Sequence, residues 1–172
     1  MKIIGQKVII KSTEEEDLKY IQSLWKNKEV MKWVGYPDGL NVTIEKLKKW
    51  LNKIDRSRLR KSFVVSELAS NSFCGELFYE IDREYNRAGL DVKFLPEAQG
   101  KGLGTEAFNI LIKYIFENEL DVEAVWTEPA QNNIHARKVY EHCGLKISRQ
   151  PVYMVHRELY MELTRDNWKA IR

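Results

Sequence analysis

A glycine-rich turn between a strand and a helix is the feature that most restricts how this chain can fold. The segment 96–105 (PEAQGKGLGT) follows a predicted strand at 88–95 and leads into 102–118, where apolar side chains recur at helical spacing. Glycines at alternate positions leave the backbone N–H groups of the turn unshielded, beside the positive end of the helix dipole. Such a turn suits a pyrophosphate, although glycines also occur in turns of this kind for close packing alone.

Two familiar phosphate-binding loops do not match this turn. The sequence GKGLG lacks the Gly-Lys-Ser/Thr ending of a nucleoside-triphosphatase loop. Its glycines follow a G-x-G-x-G pattern rather than the G-x-G-x-x-G of dinucleotide-binding domains, and the strand before it lies in the middle of the chain.

The remaining periodicities place strands and helices on both sides of the turn. Strands are predicted at 7–11, 63–67, 73–81, 88–95, 122–127, 145–149 and 158–163, and helices at about 14–25, 43–54, 102–118 and 133–142. We therefore expect one mixed α/β sheet of about seven strands covered by helices, forming a single domain over residues 1–172.

The charge balance argues against a nucleic-acid-binding protein. There are 28 basic and 25 acidic side chains, which gives a net charge of +3. The densest basic run, 56–61 (RSRLRK), fits either a solvated helix end or loop, or a contact with an anionic partner. No basic stripe with interleaved aromatic residues is present.

The cysteines and histidines do not predict a metal site. Cys74 and Cys143 lie far apart in the sequence, and His135, His142 and His156 follow no metal-ligand spacing. We expect reduced thiols in a cytoplasmic protein and histidines at the surface. The apolar runs are too short for a signal peptide or a transmembrane helix, so no membrane association is expected.

Two motifs together resemble one known superfamily. Residues 99–104 (QGKGLG) are similar to the Q/R-x-x-G-x-G/A motif of the GNAT acyl-CoA N-acyltransferases. Residues 133–145 (NIHARKVYEHCGL), about thirty positions later, resemble the second signature of that superfamily, and the order of elements also fits. The flanking segments 86–90, 104–107 and 163–168 look like the ribosomal-protein N-terminal acetyltransferase branch, which also contains aminoglycoside 6′-acetyltransferase-like and polyamine acetyltransferase relatives.

This resemblance implies a mainly antiparallel central sheet with helices on both faces, and acetyl-CoA as cosubstrate without a metal. The turn would bind the pyrophosphate through backbone N–H groups, and the strand end before it would pair with the pantetheine amides. Asn133 would hydrogen-bond the same cofactor arm. The cofactor residues implied are Phe94, Leu95, Gln99, Gly100, Lys101, Gly102, Leu103, Gly104, Thr105 and Asn133.

The family chemistry is direct acetyl transfer to an amine through a tetrahedral intermediate, with Tyr140 as the acid near the sulfur. The plainer alternatives are that Asn133 only caps its helix and that Tyr140 is a core aromatic residue. Cys143 is not expected to act as a nucleophile, because direct transfer needs none. A CoA-binding sensor or an inactive domain is the competing functional hypothesis.

The expected acceptor is a primary amine, either a protein N-terminus or a small cationic amine such as an aminoglycoside or a polyamine. We expect the protein to be a monomer or a homodimer. Trp33 and Tyr36 lie in the loop that closes over the acceptor in this fold, so we expect them to contact substrate. An acidic group near the acceptor side suits a cation, although charged residues also keep strand edges soluble: Glu76, Glu80, Asp82, Glu84 and Asp91.

The general base departs from the family pattern. Many members carry a glutamate on this strand where the present sequence reads Ala88-Gly89-Leu90. Asp91 projects from the same strand face as Gly89, so it is the candidate base. It would act through a water molecule, which would occupy the space left because Gly89 has no side chain. Glu76, Glu80 and a water chain to bulk solvent remain alternatives.

Overall fold

In the computed structural model, which describes residues 1–154 and 159–171, one sheet contains all eight described strands. Their order across the sheet is β1-β2-β3-β4-β5-β6-β8-β7. The strands are β1 (Lys2–Ile4), β2 (Val8–Ser12), β3 (Arg60–Glu67), β4 (Phe73–Asp82), β5 (Arg87–Phe94), β6 (Ala124–Thr127), β7 (Lys146–Ile147) and β8 (Met161–Thr164).

The sheet is mainly antiparallel, as the family resemblance implies. Among the described strands, β5 and β6 form the one parallel pair, and each of the other six neighbouring pairs is antiparallel. The strand not expected from the sequence is β1, which forms a hairpin with β2. Its turn is closed by the N–H of Gly5 donating to the carbonyl of Val8 at 2.8 Å.

Helices cover both faces of the sheet. They are α1 (Leu18–Lys26), α2 (Lys28–Met31), α3 (Ile44–Asp55), α4 (Leu103–Asn118), α5 (Ile134–His142) and α6 (Arg165–Ala170), with 3₁₀ turns at Glu15–Asp17, Lys32–Val34 and Pro96–Ala98. On β3, Phe63 and Val65 pack into the core that contains α4, whereas Val64 between them packs against α1 and α3. Alternation along a central strand therefore builds two cores, one on each face.

The segment between α1 and α3 is more ordered than the sequence indicates. The sequence indicates a loop with at most a short helical turn, and the structure forms α2 and a 3₁₀ turn, because the side chain of Asn27 accepts hydrogen bonds from the N–H groups of Glu29 and Val30. The backbone then returns to α1, where the N–H of Leu40 donates to the carbonyl of Trp25 at 2.7 Å. Val34, Tyr36 and Leu40 of this segment line a cavity together with side chains of β4 and β5.

The C-terminal part of the sheet differs in detail from the prediction. β7 covers only Lys146–Ile147, and β8 begins at Met161; the part of the predicted last strand at Glu158 lies outside the described residues. The short helix α6 was not expected. It begins at Arg165, whose guanidinium donates to the carbonyls of Phe116, Glu119 and Val122 at 2.6–2.9 Å and so fixes the end of α4.

Candidate active site

The two parallel strands at the centre of the sheet separate along their length. Pairing between β5 and β6 stops at Gly89 and Trp126. Residues 90–94 of β5 remain paired with β4 only. On the other edge of β5, the backbone groups that would bond to a neighbouring strand face a cleft instead, and buried backbone groups of this kind require a partner.

A single cavity of about 1110 Å³ occupies this cleft, which we call the cofactor cleft. Its walls come from β5, the glycine-rich turn, the first turn of α4, α5 and the segment that follows β6. Ten of the residues predicted for the site line it: Trp33, Asp91, Phe94, Gln99, Gly100, Gly102, Gly104, Thr105, Asn133 and Tyr140.

The glycine-rich turn has the backbone that its sequence indicates. Gly100 and Gly102 have φ values of +75° and +79°, a conformation that side chains rarely adopt. A Cβ atom at Gly100 would meet nothing within 4 Å, and one at Gly104 would only approach the ring of Phe94 at 4.0 Å. The glycines therefore leave open space in front of the N-terminus of α4, as a bound phosphate requires.

Two side chains of the turn point away from the cleft. Leu103 is buried in the main core, and the ammonium group of Lys101 lies 3.7 Å from the carboxylate of Glu67. Only the backbone N–H groups of these two residues remain for a ligand.

At the strand end, Phe94 and Leu95 have different roles. The N–H of Leu95 donates to the carbonyl of Cys74 at 2.9 Å within the sheet. The prediction that Leu95 pairs with the cofactor is therefore wrong for its backbone N–H. Because successive residues of a strand direct their backbone groups to opposite neighbours, those of Phe94 and Val92 face the cleft. The Phe94 carbonyl accepts the side-chain amide of Gln99 at 3.2 Å, which ties the strand end to the turn.

Asn133 caps its helix, which was the structural alternative, and it also lines the cofactor cleft. Its side chain accepts the N–H of Ala136 at 3.1 Å and so caps α5. One amide side chain can cap a helix with its oxygen and keep its N–H groups for a ligand. Capping and a cofactor contact are therefore compatible at this position.

Tyr140 is both a core residue and a cleft residue. Its ring packs against Phe108 with the centroids 4.9 Å apart, and only 7% of the residue is exposed. Burial raises the pKa of its hydroxyl well above the usual range; the charge of Asp91 adds to the rise, and a hydrogen bond with the side chain of Thr127 offsets part of it. The hydroxyl therefore keeps its proton at neutral pH, which is the state an acid needs.

Cys143 lies near this site and is unsuited to covalent catalysis. Burial raises the pKa of its thiol to about 12, and the sulfur contacts the carbonyl of Thr105 at 3.5 Å. A thiol in this environment is not a thiolate at neutral pH. Both cysteines are buried and free, as expected for reduced thiols.

Basic side chains at the mouth of the cofactor cleft were not found from the sequence. The ammonium of Lys7 donates to the carbonyl of Lys101 at 3.3 Å, and it lies 3.3 Å from the place a Cβ at Gly102 would take. On α5, Lys138 lines the cleft together with two histidines, His135 and His142. Both histidines are exposed, as predicted, whereas His156 lies outside the described residues.

The opposite end of the cofactor cleft is acidic and aromatic. Glu80, Asp82 and Asp91 line it together with Trp33 and Trp126. Glu80 is already paired with Arg60, whose Nε donates to it at 2.7 Å. Asp82 is exposed and accepts turn N–H groups from Glu84 and Tyr85 at 2.9–3.3 Å; Glu84 itself does not line the cleft.

The space above Gly89 is not available to a water. A Cβ at this position would lie 2.9 Å from a ring atom of Trp126, so the indole fills the volume that a side chain would take. The expectation of a water in that room is therefore wrong. Trp126 was missed because the sequence does not reveal that it lies beside Gly89 across the parallel pair.

Asp91 belongs to a network of charged groups. Lys93 is nearly buried, and its ammonium contacts the carboxylate of Asp91 directly and that of Glu76 at 3.7 Å. Burial alone would lower the pKa of Lys93, but the two carboxylates outweigh it and hold the pKa above its usual value. Glu76, which is 1% exposed, also accepts the indole N–H of Trp25 at 2.7 Å.

A second, smaller cavity of about 330 Å³ adjoins the first beside this network, and we call it the side cavity. Val34, Phe78, Asp91 and Lys93 line both cavities. Tyr36 lines only the side cavity, so the two aromatic residues predicted to contact substrate lie in different compartments. The remaining walls are Trp25, Met31, Leu40, Trp50 and Glu76.

The cofactor cleft has the features that acetyl-CoA requires. A long cavity leads from a glycine turn with open space, past backbone groups of β5 that lack a strand partner, to a buried tyrosine hydroxyl. Within residues 1–154 and 159–171, no group of three His, Cys, Asp or Glu side chains is arranged to hold a metal ion, and no helix there has the length and apolar character needed to cross a membrane.

Comparison with known proteins agrees with this geometry. Residues 7–146 match the family described as acetyltransferase (GNAT) domain. Spermidine N(1)-acetyltransferase of Escherichia coli K12 is 28% identical over 141 residues, which cover 81% of this chain and 73% of that protein. A kanamycin resistance protein of Rhizobium radiobacter is 30% identical over 100 residues, covering 52% of this chain and 90% of the relative.

Solved structures share the fold over nearly the whole chain. Spermidine N-acetyltransferase from Vibrio cholerae, in complex with CoA and spermine, superimposes with a TM-score of 0.80 at 21% identity and covers 96% of this chain and 99% of its own. A GNAT-family acetyltransferase from Bacillus anthracis gives 0.76 at 20% identity with the same coverage. With two sequence signatures, the separated parallel strands and a family match over residues 7–146, this chain belongs to the GNAT acetyltransferase family.

Proposed function

We propose that this protein transfers an acetyl group from acetyl-CoA directly to a small cationic primary amine. The observation that carries the proposal is the continuous cofactor cleft, which joins the glycine-rich turn at one end to acidic and aromatic side chains at the other. Tyr140 and Asp91 line the same cavity, Asp91 at its acidic end.

The cofactor end would be held mainly by the backbone. N–H groups of residues 100–105 would bind the pyrophosphate, whereas that of Gln99 donates to the carbonyl of Pro96 at 3.1 Å. Phe94 would offer backbone groups to the pantetheine arm, and Asn133 its side-chain N–H groups. Lys7 adds a positive charge beside Gly102. Acetyl-CoA supplies the acetyl group as a thioester, which an amine can attack without a covalent enzyme intermediate.

The chain's own chemistry consists of two proton transfers. Tyr140 would donate the proton of its hydroxyl to the departing sulfur, since this proton is retained at neutral pH. Asp91 would accept the proton that the amine must lose, because an alkyl ammonium with a pKa of about 10 cannot attack. Each acidic candidate has a partner in the protein, since Glu80 pairs with Arg60 and both Glu76 and Asp91 contact Lys93. Asp91 is favoured because, unlike Glu76, it lines the cofactor cleft, and because its charge acts on the Tyr140 hydroxyl.

The acidic end of the cleft supports a cationic acceptor. Asp82, Asp91 and Glu80 place negative charge there, and Trp33 and Trp126 add aromatic surface to the same cavity. The named relatives act on spermidine or confer kanamycin resistance, and both compounds carry several amines. Two buried free thiols support a reducing, cytoplasmic setting for the reaction.

The test is a thiol-release assay with acetyl-CoA and a panel of spermidine, kanamycin, ethylamine and short peptides with free N-termini. We expect release that depends on a small amine and falls sharply in Gly102→Val. Acetyl-CoA binding with no release for any amine would overturn the proposal in favour of a CoA sensor. Release with the peptides alone would replace the small amine with a protein N-terminus.

A further inference from the structure

We infer that the side cavity is a second compartment of the acceptor site, and that it takes an uncharged apolar or aromatic arm of the acceptor amine. This inference rests on the proposed function, because it assigns specificity at the same site. The two cavities share Val34, Phe78, Asp91 and Lys93, so a molecule whose amine lies at Asp91 can extend from one into the other.

The walls of the side cavity favour an apolar group. Trp25 and Trp50 form an edge-to-face pair with centroids 5.1 Å apart, and Tyr36, Phe78, Met31 and Leu40 complete most of the remaining surface. Aromatic and aliphatic surfaces of this kind gain free energy when an apolar group displaces water from them.

The charged groups at the cavity are already matched within the protein. Glu76 accepts the indole N–H of Trp25 at 2.7 Å, lies 3.7 Å from the ammonium of Lys93 and hydrogen-bonds the side chain of Ser62. The Lys93 ammonium also lies 5.9 Å from the centre of the Trp25 ring, so one cation of the protein already uses that aromatic face. A second ammonium of the acceptor would have to compete with Lys93 for the same partners.

Asp91 differs from Glu76 in its access to ligand. Its side chain is 42% exposed, whereas that of Glu76 is 1% exposed. Among the described residues that line the side cavity, Asp91 is therefore the carboxylate that an incoming ammonium can reach. The amine stays at the junction of the cavities, and the group beyond it meets apolar walls.

The mouth of the side cavity is a second, independent sign of a ligand. Val34 and Tyr36 line this cavity and expose 38% and 46% of their surface, and Trp33 beside them in the sequence, which lines the cofactor cleft, exposes 37%. Neighbouring large apolar side chains with this exposure are typical of binding surfaces rather than of ordinary protein surface. The backbone beneath them is fixed, since the N–H of Tyr36 donates to the carbonyl of Met31 at 3.0 Å.

The experiment compares two amines that differ only in the arm. We expect kcat/KM for phenethylamine to exceed that for ethylamine by about 10- to 100-fold, the gain expected for burying a phenyl group. Leu40→Trp fills the side cavity and should reduce this ratio to a few-fold while leaving the Kd for acetyl-CoA unchanged. Leu68→Trp, a substitution at an exposed leucine that lines neither cavity, is the matched control.

Trp50→Ala provides a second variant, because overpacking at Leu40 also risks the fold. It removes one wall and should lower the phenethylamine preference while sparing ethylamine. Equal kcat/KM for the two amines in the wild type, or a ratio that Leu40→Trp and Trp50→Ala leave unchanged, overturns the inference while the proposed function stands. If no amine is acetylated, calorimetric binding of phenethylamine that is lost in Leu40→Trp supports the cavity assignment independently of turnover, and the absence of such binding to the wild type overturns it.

Discussion

Replacing Tyr140 with phenylalanine removes one hydroxyl and leaves the rest of the side chain in place. The ring packs against Phe108 in the core, and the hydroxyl faces the cofactor cleft beside Thr127. Because the substitution keeps the packed ring, it separates the chemical role of this residue from its structural role.

The two roles predict losses of different size. A general acid contributes about 10²–10⁴-fold, so kcat should fall by that factor, equivalent to about 2.7–5.4 kcal/mol in activation free energy. The structural loss is one hydrogen bond with Thr127, worth about 1 kcal/mol in unfolding free energy. In a chain of this length that lowers Tm by about 2–4 °C. The Kd for acetyl-CoA should not change, because the substitution leaves the glycine-rich turn unaltered.

The assay is steady-state kinetics with saturating acetyl-CoA, together with calorimetry for the cofactor and thermal unfolding. Tyr79→Phe is the matched control, since Tyr79 is also buried and its hydroxyl donates to Glu119 at 2.9 Å, but it does not line the cleft. We expect a similar loss of Tm and a normal kcat in that variant. A Tyr140→Phe enzyme whose kcat matches that of Tyr79→Phe would refute the acid role and leave Tyr140 as a packing residue.

Three further variants and one pH profile test the remaining assignments. Gly102→Val should abolish detectable acetyl-CoA binding by calorimetry, whereas Gly35→Val, which has the same left-handed strain (φ +90°) but lies outside the cleft, should only lower Tm. Lys7→Gln should weaken the Kd for acetyl-CoA about 2- to 5-fold at low salt and by less at 1 M salt, and an unchanged Kd would remove Lys7 from the site. Asp91→Asn should lower kcat/KM and alter its pH profile, and a variant with the wild-type rate and profile would show that another group is the base. Since the pKa of Tyr140 is raised, the acid keeps its proton as pH rises while the amine loses its own, so wild-type kcat/KM should increase up to about pH 9 without a downturn.

The parts of the site that depend on local sequence could be predicted. The left-handed glycines at 100 and 102 follow from the turn itself, and the asparagine that caps α5 occupies the usual position for its residue type. The family resemblance placed the pantetheine arm at the end of the strand before the turn, and β5 loses its pairing with β6 beyond Gly89. These features depend on residues that are near each other in the chain or on a recognised motif.

The parts that depend on distant residues could not be predicted. The Trp25–Glu76 hydrogen bond joins positions 51 residues apart, and the contact of Lys7 with the turn joins positions 94 apart. No periodicity reports such pairings, because they arise only when the sheet brings separate elements together. The same is true of the side cavity, whose walls come from α1, α2, α3, β4, β5 and the loop that carries Tyr36.

The indole above Gly89 also limits which residues position 89 can accept. A glutamate at position 89 would bring its Cβ within 2.9 Å of the Trp126 ring, so the substitution is unfavourable while that ring is present. Once residue 126 becomes small, the same glutamate fits. A carboxylate at 89 therefore requires a smaller residue at 126, so the two positions would have to be replaced together. While Trp126 is present, proton removal would depend on residues elsewhere in the cleft.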